Sequence, residues 1–318
     1  MLLTSESTCV ASLGACRIAS PLGLSTIHGD GVADFVSDRI RIRHQIEITA
    51  GQAEVDPMSF EKAGPREHLY WRPDATRAAI VTCGGICPGL NNVIRSAFLE
   101  MHHNYGVREV LGIRYGYAGL NPMLGQPPVA LTPDMVSEIH EEGGTILGAS
   151  RGAQDLRVMV DFLAERGIHI LLCVGGDGTL RGARAIAEEA LRRRLPLSAV
   201  GVPKTVDNDV MYVSRTFGVA TAFDKTREIL AGAHAEATSV YNGVGLVKVM
   251  GRDAGFIAAG ATLASQEVNF TLIPEVPLTL DGERGFLAAL RRRLEQRHHA
   301  VIVVAEGVGQ ELLGGFPT

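Results

Sequence analysis

The chain has 318 residues, of which 46% are apolar and 20% are charged, and it contains 37 glycines. This composition is typical of a globular protein of one or two domains. The formal net charge is -5, and the Arg/Lys blocks are confined to two triplets, at residues 192–194 and 291–293. Both triplets fall at the ends of predicted helices, where positive charge suits the helix dipole, so we expect no nucleic-acid partner.

No apolar run approaches the roughly 18 residues that a membrane-spanning helix needs, so we expect no membrane partner. The five cysteines are odd in number and lack the spacing of a zinc finger. They therefore indicate reduced thiols in a reducing compartment. The first thirty residues resemble neither a secretory signal nor a transit peptide, and we expect a cytoplasmic protein.

Residues 1–70 are predicted to form a partly ordered extension, with an alternating segment at 40–48. From residue 77 onward, apolar strands alternate with helices. The predicted strands are 78–83, 108–113, 168–174, 197–202, 243–249, 269–273 and 300–305. The predicted helices are 90–103, 180–194, 220–234, 254–264 and 281–298, and a further helix begins at Thr132-Pro133. The pattern predicts an α/β fold of stacked βαβ units with parallel strands, a Rossmann-like sandwich.

Ligands bind at the carboxyl ends of the strands in such sheets, so the turns that follow the strands are candidate sites. The glycine-rich turn at 83–89 allows backbone amides to approach an anion, although tight packing alone also needs such a turn. The turn at 143–152 presents Arg151, whose forked guanidinium suits a transferring phosphoryl group. The alternative for Arg151 is a solvated surface side chain.

The third turn, Gly-Gly-Asp-Gly-Thr at 175–179, follows a buried strand and precedes a helix. Asp177 is placed to hold Mg²⁺ through water while nucleotide phosphates lie against the backbone. The alternative is an aspartate that caps the following helix.

The fourth turn, Pro-Lys-Thr-Val-Asp-Asn-Asp at 203–209, is unusually charged for a plain turn after a buried strand. If the segment is extended, Asp207 and Asp209 lie on the same side. Such a pair can divide the work of accepting a hydroxyl proton and fixing orientation. Lys204 and Thr205 add a cation and a hydroxyl for phosphate.

Two further turns complete the set. Met250-Gly251-Arg252 follows a strand and again presents a forked cation, which suits a second phosphate or a sugar. Glu306 ends the last predicted strand, where a carboxylate can accept hydrogen bonds from sugar hydroxyls.

These six turns, in this order along one chain, strongly resemble the phosphofructokinase family, which phosphorylates fructose 6-phosphate at its 1-hydroxyl. The resemblance runs from about residue 77 to residue 306. It implies a phosphofructokinase-like fold with an N-terminal extension (1–70), a nucleotide domain (71–216) and a sugar-phosphate domain (217–318) that is incomplete at its C-terminal end. It also implies a glycolytic, allosteric enzyme that forms a dimer or tetramer.

The resemblance implies that Asp207 is the catalytic base, that Arg151 and Thr205 assist it, and that Asp177 binds Mg²⁺. The implied donor-binding residues are Gly85, Tyr117, Arg151, Gly176, Gly178 and Thr179. The implied sugar-phosphate residues are Lys204, Thr205, Asp207, Asp209, Met250, Gly251, Arg252 and Glu306.

Gly178 favours ATP as the donor, because the pyrophosphate-dependent members typically carry an aspartate there that crowds the α-phosphate. Lys204 is typical of pyrophosphate users, and the combination of both residues resembles the plant and kinetoplastid ATP-dependent group. The alternatives are a pyrophosphate-dependent phosphofructokinase, an NAD or lipid kinase, and a non-catalytic nucleotide-binding regulatory subunit. An NAD or lipid kinase would not account for the Thr205, Asp207 and Asp209 cluster.

Two departures from the family pattern stand out. The aligned place around Tyr241-Asn242-Gly243 lacks the Arg that reaches a neighbouring subunit in bacterial enzymes, so their intersubunit details do not carry over. The family also continues beyond Glu306 through an Arg/His-bearing loop that grips the 6-phosphate. We therefore expect this polypeptide alone to have little kinase activity.

Overall fold

The computed structural model describes residues 8–44 and 58–313, and the chain divides into two compact units. The first unit comprises Met1–Gly85 and Asn91–Val202. The second comprises Ile86–Leu90 and Pro203–Thr318. The chain therefore passes between the units three times, and the second unit joins two segments that are distant in sequence.

The N-terminal part of the first unit contains two short antiparallel strand pairs. Strand β1 (Ile18–Ala19) pairs with β4 (His68–Leu69), and β2 (Arg41–Arg43) pairs with β3 (Ser59–Glu61). Strand β2 lies within the predicted alternating segment, of which residues 45–48 fall outside the described residues.

Trp71 fixes the end of this extension to the main body of the first unit. Its indole Nε1 donates to Ser198 Oγ at 3.2 Å, and its ring centroid lies 4.9 Å from that of His169. His169 Nδ1 in turn accepts from the amide of Arg77, at 3.1 Å. Trp71 thus contacts two residues, His169 and Ser198, that lie at the amino-terminal starts of strands in the sheet that follows.

The sheet of the first unit has five strands in the order β7-β6-β5-β8-β9. Their bounds are β5 Arg77–Thr82, β6 Glu109–Ile113, β7 Val129–Ala130, β8 Ile170–Gly175 and β9 Ser198–Pro203. Strands β6 and β8 run parallel to the central β5, whose last five residues are buried. Strand β7 runs antiparallel to β6, an edge strand that the predicted parallel pattern did not include.

Four helices belong to the segments around this sheet, namely α1 (Leu90–Leu99), α2 (Pro133–Val136), α3 (Leu156–Glu165) and α4 (Asp177–Arg192). Thr132 caps α2 as predicted, through its hydroxyl and the amide of Met135. Helix α3 was missed in the sequence, although Asp155 accepts from the amides of Arg157 and Val158 in a typical N-cap.

The predicted basic end of α4 is satisfied by local carboxylates. Arg192 and Arg193 both hydrogen bond to Glu189, and these bonds lower the pKa of Glu189 to about 2. Arg193 also pairs with Asp161 of α3 at 2.5 Å. The triplet at 192–194 therefore has two members that are engaged within the protein.

The second unit has a parallel sheet in the order β10-β12-β11, with bounds β10 Gly243–Val249, β11 Phe270–Leu272 and β12 His299–Ala305. Its helices are α5 (Val219–Ser239), α6 (Phe256–Ser265) and α7 (Phe286–Arg297). The prediction that α7 begins at residue 281 was wrong. Gly282 has a left-handed φ of 91° and its carbonyl accepts from the amide of Gly285, so this segment is a turn.

The other strands and helices confirm the predicted α/β fold, because each predicted strand has a counterpart whose ends agree within two residues. The five cysteines form no disulfide bond, and burial raises the pKa of Cys173 to about 12, as expected for a structural thiol. Among the described residues, no helix combines the length and the apolar character needed to cross a membrane.

The core of the first unit predicts where a single substitution will be costly. Leu163 of α3 is fully buried, so Leu163→Ala leaves a cavity and is expected to cost about 2–5 kcal/mol of unfolding free energy. Leu191 of α4 is 58% exposed, and Leu191→Ala serves as the matched control with a change within about 0.5 kcal/mol. Urea unfolding followed by Trp71 fluorescence measures both, and equal effects would contradict this assignment of the core.

Candidate functional site

The glycine-rich turn after β5 is joined to the Arg151 loop. The amide of Gly84 donates to the carbonyl of Ser150 at 3.0 Å, and Gly84 has a left-handed φ of 80°. A Cβ built on Gly85 would lie 3.5 Å from the guanidinium of Arg151. Arg151 is exposed, so the structure places this cation beside a backbone turn without covering it.

The turn after β8 forms an open helix N-terminus. Gly176 precedes α4, and its carbonyl accepts from the amides of Thr179 and Leu180. The amides of Asp177 and Gly178 make no hydrogen bond within the described residues, and both residues are exposed. A Cβ on Gly178 would meet nothing within 4 Å. Unpaired amides at the positive end of a helix dipole suit an anion.

Tyr117 packs against the N-terminal part of helix α4. It is 7% exposed, and its hydroxyl donates to the carbonyl of Thr179 at 2.7 Å. Its ring lies against Gly182, where a Cβ would be 2.5 Å from a ring carbon. Burial raises the pKa of Tyr117 far above its ordinary value, so the phenol stays protonated and remains a donor. A direct contact between Tyr117 and the phosphoryl donor stays a prediction.

The segment after β9 is not extended, which corrects one premise of the sequence analysis. Asn208 has a left-handed φ of 60°, so the expected alternation of Asp207 and Asp209 along a strand is wrong. The hydroxyl of Thr205 accepts from the amide of Asp207 at 3.1 Å. The two aspartates therefore flank a bend, and their proximity comes from this bend.

Asn208 is a structural residue of this site that the sequence analysis missed. It is 9% exposed, its Oδ1 accepts from the amide of Thr216 at 2.7 Å, and its Nδ2 donates to the carbonyl of Ser214 at 3.3 Å. Asparagine is one of the few residues that tolerate the left-handed conformation. The position of this asparagine between two aspartates was the feature of the sequence that could have identified it.

Asp207 is half-buried and surrounded by charge. Burial is the main cause that raises its pKa above the ordinary value for aspartate, and the carboxylates of Asp209, Glu306 and Asp253 raise it further. The guanidinium of Arg252 acts in the opposite direction. The structure thus brings together four predicted residues and adds Asp253, which the sequence analysis missed although it directly follows Arg252.

Backbone hydrogen bonds explain how Glu306 comes to lie near the turn after β10. The amide of Glu306 donates to the carbonyl of Val249 at 2.9 Å, and the amide of Gly307 donates to the carbonyl of Gly251 at 3.1 Å. Gly251 has a φ of 120°, and a Cβ there would be 2.3 Å from the carbonyl of Ala254. Only glycine fits this turn. Met250, beside it, is 49% exposed.

Lys204 is buried, with 5% of its surface exposed. Its charge lowers the pKa of the nearby Cys87 thiol, although burial is the larger influence and raises that pKa overall. Cys87 belongs to residues 86–90, which form part of the second unit. The predicted phosphate-binding turn at 83–89 is therefore divided, with residues 83–85 in the first unit and residues 86–89 in the second.

The expected donor residues and the expected sugar residues separate by unit. The first unit holds Gly85, Tyr117, Arg151, Gly176, Asp177, Gly178 and Thr179. The second unit holds Lys204, Thr205, Asp207, Asp209, Met250, Gly251, Arg252 and Glu306. Residues 176–179 follow β8 of the first sheet, and Arg252 and Glu306 follow β10 and β12 of the second, at the carboxyl ends where an α/β fold binds its ligands. Residues 204–209 follow β9, whose strand belongs to the sheet of the first unit.

The family model described as phosphofructokinase matches residues 77–314. A protein of Borreliella burgdorferi named ATP-dependent 6-phosphofructokinase is 45% identical, over 97% of this chain and 70% of its own length. Relatives with the same name from Entamoeba histolytica and Trypanosoma cruzi are 48% and 50% identical, over 84% and 82% of this chain. The chain spans 59% and 53% of the length of these two relatives.

Two solved structures have the same fold. The pyrophosphate-dependent phosphofructokinase of Marinobacter aquaeolei matches with a TM-score of 0.64 and 22% identity, over 73% of this chain and 61% of that one. The phosphofructokinase of Saccharomyces cerevisiae matches with a TM-score of 0.63 and 27% identity, over 73% of this chain and 34% of that one. These matches and the family model confirm the predicted resemblance, and the chain belongs to the phosphofructokinase family.

Proposed function

We propose that the protein transfers the γ-phosphoryl group of ATP to the 1-hydroxyl of fructose 6-phosphate, as an ATP-dependent 6-phosphofructokinase. The observation that carries this proposal is the convergence of Asp209, Asp253, Glu306 and Arg252 on the half-buried Asp207. A carboxylate with a raised pKa is a stronger base than an ordinary aspartate. Asp207 is therefore suited to take the proton of the attacking hydroxyl.

The proposed donor side uses backbone more than side chains. The amides of Asp177 and Gly178 at the start of α4 would bind phosphate oxygens, and Arg151 would offset the charge of the transferring group. The names of the relatives, together with the open space at Gly178, favour ATP.

The residues of the same turn fit Mg²⁺. This ion usually takes one or two carboxylates and completes its shell with water and substrate phosphates, and Asp177 is an exposed carboxylate beside free amides. Asp177 would hold the ion, which would neutralise part of the phosphate charge during transfer.

The proposed acceptor side uses side-chain charge. Arg252, Lys204 and Thr205 would bind phosphate, and Glu306 and Asp209 would accept hydrogen bonds from sugar hydroxyls. A turnover assay with ATP, and then with pyrophosphate, tests the proposal. Phosphorylation with pyrophosphate alone would favour the pyrophosphate-dependent alternative, and nucleotide binding without turnover would favour a regulatory subunit.

The resemblance further supports a homo-oligomer, of two or four subunits, and a glycolytic role in the cytoplasm. Sedimentation velocity tests the first of these proposals. One relative is named as chloroplastic, so the compartment of this protein needs its own localisation experiment.

The charge around Asp207 predicts a pH dependence. Activity requires ionised Asp207, so it should fall as the pH drops through the raised pKa of this group. Asp253→Asn removes a negative charge that raises this pKa, and it should move the acid limb of kcat/KM to lower pH by about 0.3–1 unit.

Two further variants calibrate that experiment. Asp207→Asn removes the base and should lower kcat by about 10²–10⁴-fold. Asp224→Asn, an exposed change on α5, should leave the pH profile unchanged. An acid limb that is identical in Asp253→Asn and in the unmodified protein would refute the role given to Asp207.

The open space at Gly178 predicts donor selection. Gly178→Asp introduces a carboxylate beside the amides that would bind phosphate, and it should lower kcat/KM for ATP about 100-fold or more by like-charge repulsion. Gly232→Asp makes the same change at an exposed glycine of α5 that also has open space, and it should have little effect. Equal ATP kinetics in the two variants would contradict the placement of the donor.

A further inference from the structure

A seventh strand-end turn lies at the carboxyl end of β11, and it was not among the turns singled out in the sequence. It consists of Ile273-Pro274-Glu275, and the amide of Val276 closes it by donating to the carbonyl of Ile273 at 3.2 Å. Strand β11 runs parallel to β12, so this turn shares the sheet edge with Glu306. Glu275 is thus an additional carboxylate at the sheet edge where Arg252 and Glu306, two of the expected sugar-phosphate residues, lie.

The carboxylate of Glu275 caps helix α6. Its Oε1 accepts from the amide of Gly255 at 2.8 Å. Gly255 is the residue before α6 and has no side chain with which to cap the helix itself. A carboxylate at this place satisfies a free amide and complements the positive end of the helix dipole. Glu275 therefore supplies from a distant turn the cap that the helix lacks.

The packing at Gly255 shows that this cap has a fixed position. A Cβ built on Gly255 would lie 2.3 Å from a methyl group of Ile273 and 2.9 Å from Oε2 of Glu275. The turn after β11 therefore presses directly against the backbone of the turn after β10. The two turns can keep this contact only while residue 255 is glycine.

The capped backbone continues directly into Arg252 and Asp253, two of the charged residues that act on Asp207. On its other side the same turn is held by Gly307, whose amide donates to the carbonyl of Gly251 at 3.1 Å. A Cβ on Gly307 would also overlap the carbonyl of Arg252. The segment 251–255, called the Arg252 turn below, is thus fixed by a backbone contact at Gly251 and by the Glu275 carboxylate at Gly255.

We propose that Glu275 is a positioning residue, which caps α6 and thereby holds the Arg252 turn in place beside Asp207. This inference rests on the proposed function. The charged groups that face Asp207 are Asp209, Glu306, Arg252 and Asp253, and Glu275 is not one of them. Glu275 therefore acts through the backbone of residues 252–255, and its hydrogen-bond acceptor matters more than its charge.

The test compares Glu275→Ala with Glu275→Gln, because glutamine keeps an acceptor oxygen and loses only the charge. Glu275→Ala frees the Arg252 turn and should raise KM for fructose 6-phosphate about tenfold, with a smaller change in kcat. It should also move the acid limb of kcat/KM upward by about half a pH unit, because Arg252 lowers the pKa of Asp207. Glu275→Gln should restore most of both properties.

Glu295→Ala is the surface control, since Glu295 is an exposed carboxylate of α7. It should leave KM and the acid limb unchanged. A Glu275→Ala protein with the KM and acid limb of the unmodified chain would overturn the proposal. An equal loss in Glu275→Gln and Glu275→Ala would also overturn it, because that result indicates a role for the charge itself.

A second readout separates this proposal from the proposed function. Titration of the ¹³C-labelled Asp207 carboxyl by NMR needs neither donor nor sugar, and Glu275→Ala should raise its pKa while Glu275→Gln leaves it in place. If the unmodified protein shows no turnover with either donor but the titration shifts as expected, the proposed activity fails for this polypeptide alone and the positioning role stands. An unshifted titration in Glu275→Ala overturns the positioning role, whatever the activity.

Discussion

The electrostatics of the second unit centre on a half-buried carboxylate, Asp207, that lies among other carboxylates. Burial removes water from this group, and the charges of Asp209, Glu306 and Asp253 repel its ionised form. Arg252 is the cation that opposes these influences. The balance keeps Asp207 more basic than an ordinary aspartate, and it depends on where the Arg252 guanidinium is held.

The parallel pairing of strands β10 and β12 determines the position of the turn that contains Arg252. Strands β10 and β12 pair residue by residue from Gly243 with His299 to Val249 with Ala305, so their carboxyl ends finish together. The bonds from Glu306 to Val249 and from Gly307 to Gly251 extend this pairing into the turns beyond the strands. Arg252 and Glu306 are therefore neighbours because the two strands are in register.

The two units present different kinds of candidate site. In the first unit, the free amides at the start of α4 and the open space at Gly178 present backbone to an anion. In the second unit, charged side chains surround one carboxyl group, that of Asp207. A backbone site tolerates little change in shape, whereas a site made of charges is sensitive to the distance between its groups.

Buried polar side chains maintain both shapes. The hydroxyl of Tyr117 donates to the carbonyl of Thr179. The side-chain amide of Asn208 donates to the carbonyl of Ser214 and accepts from the amide of Thr216. These groups are satisfied by backbone partners within the fold, as buried polar groups must be. Their hydrogen bonds hold the residues beside them, which are the ones exposed to a ligand.

The sequence by itself determined the alternation of strands and helices, most of their ends, the family, and the strand-end turns that are rich in glycine and charge. These properties are local, since apolar periodicity and glycine-rich turns are read from neighbouring residues. Elements whose signals are weak or broken were misjudged, such as the edge strand β7 and the start of α7. The expected alternation of Asp207 and Asp209 failed because Asn208 between them is left-handed, so the segment is not extended.

Only the tertiary structure decided which charges meet at Asp207, that Asp253 is one of them, and that Glu275 caps a helix some 20 residues away in sequence. It also divided the turn at 83–89 between two units. The physical reason is that these relations depend on strand register and close packing, which join segments that are distant along the chain. A single sequence contains the groups that interact, but the distances between them arise only when the sheets form.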